Sequence, residues 1–179
     1  MGVQARSRMP MTRLPATIPN RVVESFWRKV VKSPSPDGCW IFTGAISSPD
    51  GYGRINFRVD GRQYSVSAHR FALMLSGTDI SNSDVVADHR CNEPLCVRVG
   101  SHHVIASTRE ANALYASLTG RARGQRPGLD TQTRARVQRS RDVRAALAEG
   151  WNEQAYALAA RRPVNPLEQP SLFPTGNDA

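Results

Sequence analysis

Residues 85–104, VVADHRCNEPLCVRVGSHHV, follow neither the period of an amphipathic helix nor the alternation of a half-buried strand. The stretch nevertheless holds two of the chain's three cysteines, Cys91 and Cys96, and three of its four histidines, His89, His102 and His103. An irregular segment of this length needs a staple when the domain around it is small and only 7% of its residues are aromatic. A disulfide framework is a poor candidate, because the cysteine count is odd and no secretory leader is evident. Four residues separate Cys91 from Cys96, a spacing within the range of zinc ligands. With Cys39 upstream and either His102 or His103 downstream, three thiolates and one imidazole complete a tetrahedral structural set. The competing reading makes Cys39 a small buried hydrophobe beside Trp40.

The flanking segments have clearer periods. Residues 1–20 are polar, basic and proline-containing and are expected to be disordered. The apolar spacing of RVVESFWRKVVK predicts a helix over 21–32, stopped by SPSPDG. CWIFTGA (39–45) reads as a strand and SSPDGYG as a turn. RINFRV (54–59) and RQYSVS (62–67) read as a hairpin about Asp60-Gly61. AHRFALMLSG (68–77) and STREANALYASL (107–118) read as helices, the second capped by Ser107 or Thr108. GRARGQRPG marks a linker over 120–130, a helical extension follows over 131–162, and the proline-broken tail 163–179 is expected to be disordered. The domain reading is therefore a core over 21–119 with a separable basic extension.

The formal net charge of +9 suits a polyanionic partner, nucleic acid above all. All basic residues except Lys29 and Lys32 are arginines, whose planar fork matches phosphate and guanine edges. A GC-rich genome accounts equally well for the arginine preference, but not for the net charge. No apolar run reaches the ~18 residues of a membrane span, so a location in the cytoplasm of a bacterial host cell is expected. Hydrolysis of a phosphodiester needs a divalent ion on hard oxygen ligands and a base that titrates near neutrality. Asp88 and His89 supply a carboxylate and an imidazole side by side, on opposite faces if the chain there is extended. Asn112, on the following helix, offers a second oxygen.

Taken together, D-H-x-C-x4-C (Asp88 to Cys96), then HVIASTREAN (103–112), preceded by GCWIFTGA, GYGRINF and AHRFAL, resembles the HNH endonucleases of phages and introns. It is also similar to the His-Cys box homing endonucleases. The resemblance covers about residues 38–116. It implies an α+β fold: a small ββα-metal (His-Me finger) nuclease core with preceding β-hairpins and a helical C-terminal extension. It further implies a DNA hydrolase, phage-encoded or carried by a mobile element, acting in homing or in genome packaging. By the resemblance His89 is the general base, Asp88 and Asn112 hold a catalytic magnesium ion, and His103 joins Cys39, Cys91 and Cys96 around a structural zinc ion. The family's histidine stands nine residues before its asparagine, which selects His103 over His102. Two departures stand out. Six residues separate Cys96 from His103 where the family usually has four, and Arg98-Val99 replaces its Asn-Pro.

Arg54 and Arg70 lie within the upstream signatures, Arg98 and Arg109 within the core stretch, and Arg136 and Arg139 on the basic extension. All six are expected to contact double-stranded DNA. For Arg70, packing against the zinc loop is the equal alternative. The extension resembles the degenerate helix-turn-helix tails of phage HNH proteins, and a homodimer is compatible with such a reading. QPSLF (Gln169 to Phe173) resembles the peptides that replication proteins insert into the bacterial sliding clamp. The alternative to an active endonuclease is a catalytically inactive, zinc-stabilised DNA-binding or regulatory protein of the same fold.

Overall fold

The computed structural model describes residues 14–15, 17–48, 50–80, 82, 84–119 and 129–161. The basic N-terminus to residue 13, the linker at 120–128 and the tail from 162, with its QPSLF motif, lie outside the described residues.

The chain opens with helix α1 (Asn20–Trp27), whose Val22 and Phe26 are buried. The helix expected to run to residue 32 stops there. Val30 and Val31 are β-branched and favour the pleated backbone. They form strand β1 (Val30–Lys32), antiparallel to β2 (Trp40–Phe42). A short β3 (Ala45–Ile46) pairs with β4 (Gly53–Val59), which pairs in turn with β5 (Arg62–Ser67). The β4–β5 turn has positive φ at both Asp60 (49°) and Gly61 (75°), the backbone a two-residue hairpin requires. On β4, Gly53, Ile55, Phe57 and Val59 point inward in strict alternation, and Tyr64 and Val66 of β5 join them. Helix α2 (Ala68–Leu75) lays Ala68, Phe71 and Ala72 on that face. Phe26, Phe42, Phe57 and Phe71 fill the centre, with Phe26–Phe71 ring centroids 5.0 Å apart and Phe26–Phe42 5.5 Å apart.

The stretch without periodicity contains a strand after all. Strand β6 (Val86–His89) pairs antiparallel with β7 (Val104–Ser107), Asp88 facing Ile105 and His89 facing Val104. Helix α3 (Arg109–Leu118) follows after Thr108 alone, whose hydroxyl accepts the Ala111 N–H at 3.1 Å as its N-cap. Two antiparallel strands, with the loop 90–103 between them, are thus followed at once by a helix, giving a ββα unit.

The C-terminal helices α4 (Leu129–Ala146) and α5 (Glu153–Ala160) were expected to form a separable extension. They do not. Val143 and Leu147 near the end of α4, with Ala159 of α5, share a hydrophobic cluster with Ile41 of β2 and Leu95 of the β6–β7 loop. Trp151 and Tyr156 cover its margin. Each fully buried aliphatic side chain there contributes on the order of 1.5–3 kcal/mol, so the helices are part of the core. Asn152 caps α5 by accepting the Ala155 N–H at 2.9 Å.

A buried ion pair completes this junction. Arg139 of α4 lies 2.8 Å from Glu93 Oε2, with side-chain exposures of 8% and 2%. Its Nε donates to the Ala160 carbonyl at 3.0 Å, and the Tyr156 hydroxyl donates to Glu93 Oε2 at 3.5 Å. Removing one partner strands the other charge away from water, which costs about 3–5 kcal/mol. Arg139→Ala is therefore expected to lower unfolding stability by that amount in urea titrations. A change below about 1 kcal/mol, the value of an exposed pair, would show that the Glu93–Arg139 contact opens to water.

Candidate metal centre and active site

The loop between β6 and β7 is folded around four side chains. Cys39 stands just before β2, Cys91 and Cys96 lie on the loop, and His103 closes it before β7. Their ligand atoms all lie within 4.8 Å of one another. His103 Nδ1 is 3.7 Å from Cys39 Sγ and 3.7 Å from Cys96 Sγ. A tetrahedral zinc site with ordinary Zn–S and Zn–N bonds has ligand–ligand edges of about 3.6–3.8 Å. The four side chains are therefore already spaced to hold such an ion. Electrostatics point the same way. Hydrogen bonds from Cys39 and Cys96 hold the Cys91 thiol far below its usual range. The Cys39 thiol is driven far up by its hydrogen bond to Cys91. For Cys96 the contact with Cys91 and burial outweigh the contact with Cys39, and its thiol is pushed up to about 12. Three neighbouring thiols cannot all ionise on their own, and a divalent cation removes that conflict.

The choice between the adjacent histidines is settled by the fold: His103 is buried within the cluster, whereas His102 is exposed. Gly100 provides the turn that brings His103 back, since the His103 N–H bonds to the Gly100 carbonyl at 2.9 Å. Arg98, expected to face DNA, turns inward and donates to the Gly38 carbonyl at 2.8 Å. It thereby ties the loop to the segment that carries Cys39.

Asp88 and His89 occupy consecutive positions of β6 and point to opposite sides. Asp88 is 4% exposed. Its Oδ2 lies 3.3 Å from Arg90 Nε but makes no hydrogen bond. Arg90 in turn stacks over Tyr115 of α3, its guanidinium carbon 3.9 Å from the ring centroid, while the Tyr115 hydroxyl donates to the Arg90 carbonyl at 3.4 Å. Asn112 is one turn earlier on α3 and, like Tyr115, half-buried. Three residues apart, the two share a helix face, so the face that meets Arg90 also carries Asn112.

His89 points the other way, into a wall of aromatic rings. Its Nε2 is 2.9 Å from the Cys96 carbonyl. A carbonyl only accepts, so Nε2 carries the proton and Nδ1 is the basic nitrogen of the neutral ring. The His69 ring centroid is 4.5 Å away and that of Tyr52 is 5.6 Å away. Burial lowers the pKa of His89 against the opposing pull of the Cys96 carbonyl and nearby acids. His69 is held well below the usual histidine range by burial, then by His89, Arg54 and Arg70, and its Nδ1 has no hydrogen-bond partner. Both imidazoles are thus kept neutral.

The remaining arginines divide. Arg70 donates from its guanidinium to the Val85 carbonyl at 2.6 Å and to the Ile80 carbonyl, in the segment before β6 and not on the zinc loop. Arg139, expected on a DNA-facing ring, is buried against Glu93 because α4 docks on the loop through that side. Arg109 is exposed at the start of α3. Arg54 is about one-third exposed beside Asp50, at 3.5 Å. Arg136 reaches over Tyr52, its guanidinium carbon 5.7 Å from the ring centroid. Tyr52, Arg90, Glu93 and Tyr156 escaped the sequence reading. The GYG turn was the only signal for Tyr52, and the partners of the other three lie too far along the chain to be read.

Among the described residues no helix is long and apolar enough to cross a membrane. Neither protein-family models, nor curated proteins, nor solved structures give a match to this chain.

Proposed function

We propose that the chain is a metal-dependent DNA endonuclease of the HNH type, with His89 as general base and zinc as a structural ion in the Cys39–Cys91–Cys96–His103 cluster. The observation that carries the reading is the ββα unit with Asp88 and His89 on opposite sides of one strand. Beside it, the face of α3 that meets Arg90 carries Asn112. An imidazole fixed at Nε2 presents Nδ1 to a water molecule and can take its proton. Asp88 Oδ2, buried and without a hydrogen bond, is the kind of oxygen that accepts a hard cation. Asp88 and Asn112 would hold magnesium, whose chemistry is to stabilise charge on the phosphate and on the leaving oxygen. Arg54 and Arg109, at the surface, would contact phosphates of the duplex. The net charge of +9 supports a nucleic-acid partner, and the family reading itself rests on residues 38–116.

A second reading has its own support. His89 is only 6% exposed, and Asp88 already has Arg90 beside it. Those features suit a non-catalytic, zinc-stabilised DNA-binding protein. Incubating the full-length chain with supercoiled plasmid decides between the two. The nuclease reading expects nicked or linear product with magnesium and none with EDTA. DNA that is bound but left intact under both conditions would establish the second reading.

A further inference from the structure

Tyr52 has no part in the chemistry proposed above, yet its ring is stacked on that of His89. Its ring lies parallel to the imidazole, with centroids 5.6 Å apart and planes 10° apart. It also meets His69 at 5.0 Å. Local hydrogen bonds to Asp50 and Ser47 hold the Tyr52 backbone, and α4 approaches the turn from the C-terminal side of the chain. Gly51 before it has φ of +75°, and a Cβ there would come within 3.1 Å of the Arg136 carbonyl oxygen. Helix α4 therefore packs closely on this turn, whose positive φ favours glycine, and the Arg136 guanidinium lies over the Tyr52 ring.

We infer that Tyr52 is a positioning residue for His89, held against the imidazole by α4 through Gly51 and Arg136. The inference rests on the nuclease reading and extends it to the C-terminal helices. The hydrogen bond at Nε2 selects the tautomer, and the flanking rings bear on the ring plane. Packing by Tyr52 on one side and by His69 at 4.5 Å fixes the plane and with it the direction of the Nδ1 lone pair. Misplacing a reacting group by about 1 Å can cost about a hundredfold in rate, so the plane matters more than the modest energy of the stack.

The test uses full-length protein carrying Tyr52→Leu, Tyr52→Phe or Arg136→Met. Two quantities are read: kcat and KM of magnesium-dependent cleavage, and the 15N resonances of the His89 imidazole without magnesium. Tyr52→Leu is expected to lower kcat by about tenfold to a hundredfold, with KM, bound zinc and the thermal melt unchanged. Its imidazole resonances are expected to shift from the pure Nε2–H tautomer toward a mixture. Tyr52→Phe keeps the plate and restores both readouts, and Arg136→Met moves them in the same direction as Tyr52→Leu by a smaller amount. Wild-type kcat and resonances in Tyr52→Leu would overturn the inference, as would loss of zinc or of the cooperative melt, which would make Tyr52 merely structural. Unchanged readouts in Arg136→Met would remove α4 from it. If the wild-type chain cleaves no DNA, the nuclease reading fails, and the imidazole spectra alone decide whether Tyr52 fixes the ring.

Discussion

Cys96→Ser should yield a chain that retains no stoichiometric zinc and shows no cooperative thermal transition. Cys96 is fully buried and joins three parts of the fold. Its Sγ faces His103 Nδ1 at 3.7 Å, its carbonyl receives His89 Nε2 at 2.9 Å, and it bridges Ile41 of β2. The loop 90–103 has few apolar side chains of its own besides Leu95, Val97 and Val99, so ligand binding supplies much of its folding energy. Structural zinc contributes about 10–16 kcal/mol in small zinc domains, as much as the whole stability of a typical domain, about 5–15 kcal/mol. Elemental analysis and a melt followed by circular dichroism check the expectation together. A zinc-free variant that still melts cooperatively would show that the hydrophobic clusters hold the loop without an ion.

His89→Ala should act in the opposite manner, on rate and not on fold. The imidazole bonds to the Cys96 carbonyl and is not itself one of the four ligand side chains. A missing general base costs about two to four decades in turnover, whereas DNA affinity, proposed to rest on surface arginines, should stay near wild type. Truncating a buried ring also opens a cavity beside Tyr52 and His69. A stability loss of about 1–3 kcal/mol is therefore expected, small enough to leave a folded protein for assay. Turnover within a factor of a few of wild type would remove His89 from the chemistry.

The two results would be linked through one peptide group. Because the Cys96 carbonyl fixes the His89 tautomer, the metal loop and the proposed base are parts of one device. Stripping the zinc should therefore abolish cleavage together with the cooperative fold.

The sequence made the metal cluster readable because thiol and imidazole spacing is a chemical constraint, independent of what the rest of the chain does. The hairpin about Asp60-Gly61 was readable because few residues tolerate two successive positive φ values, and β5 falls on its expected residues 62–67. Strand β6 was hidden because Asp88 and His89 are buried on opposite sides, so no polar alternation marks it. Strand β1 was hidden because Val30 falls on the helical period of α1, and only its partner β2 shows which structure prevails. The inward turn of Arg139 was unreadable for another reason. An arginine among arginines on a helix looks solvated until Glu93, far back in the chain, is brought beneath it. The same holds for Tyr52, whose role depends on α4 closing over the Gly51 turn.

The most direct measurement is cleavage of a supercoiled plasmid by zinc-loaded wild-type and His89→Ala chains, each with and without magnesium, beside a binding assay on the same preparations. Nicked or linear DNA is expected from the wild type with magnesium alone, with a rate lower by at least about a hundredfold in the variant and similar binding by both. Equal cleavage by the two chains, or binding without cleavage by the wild type in magnesium, would contradict the proposed function.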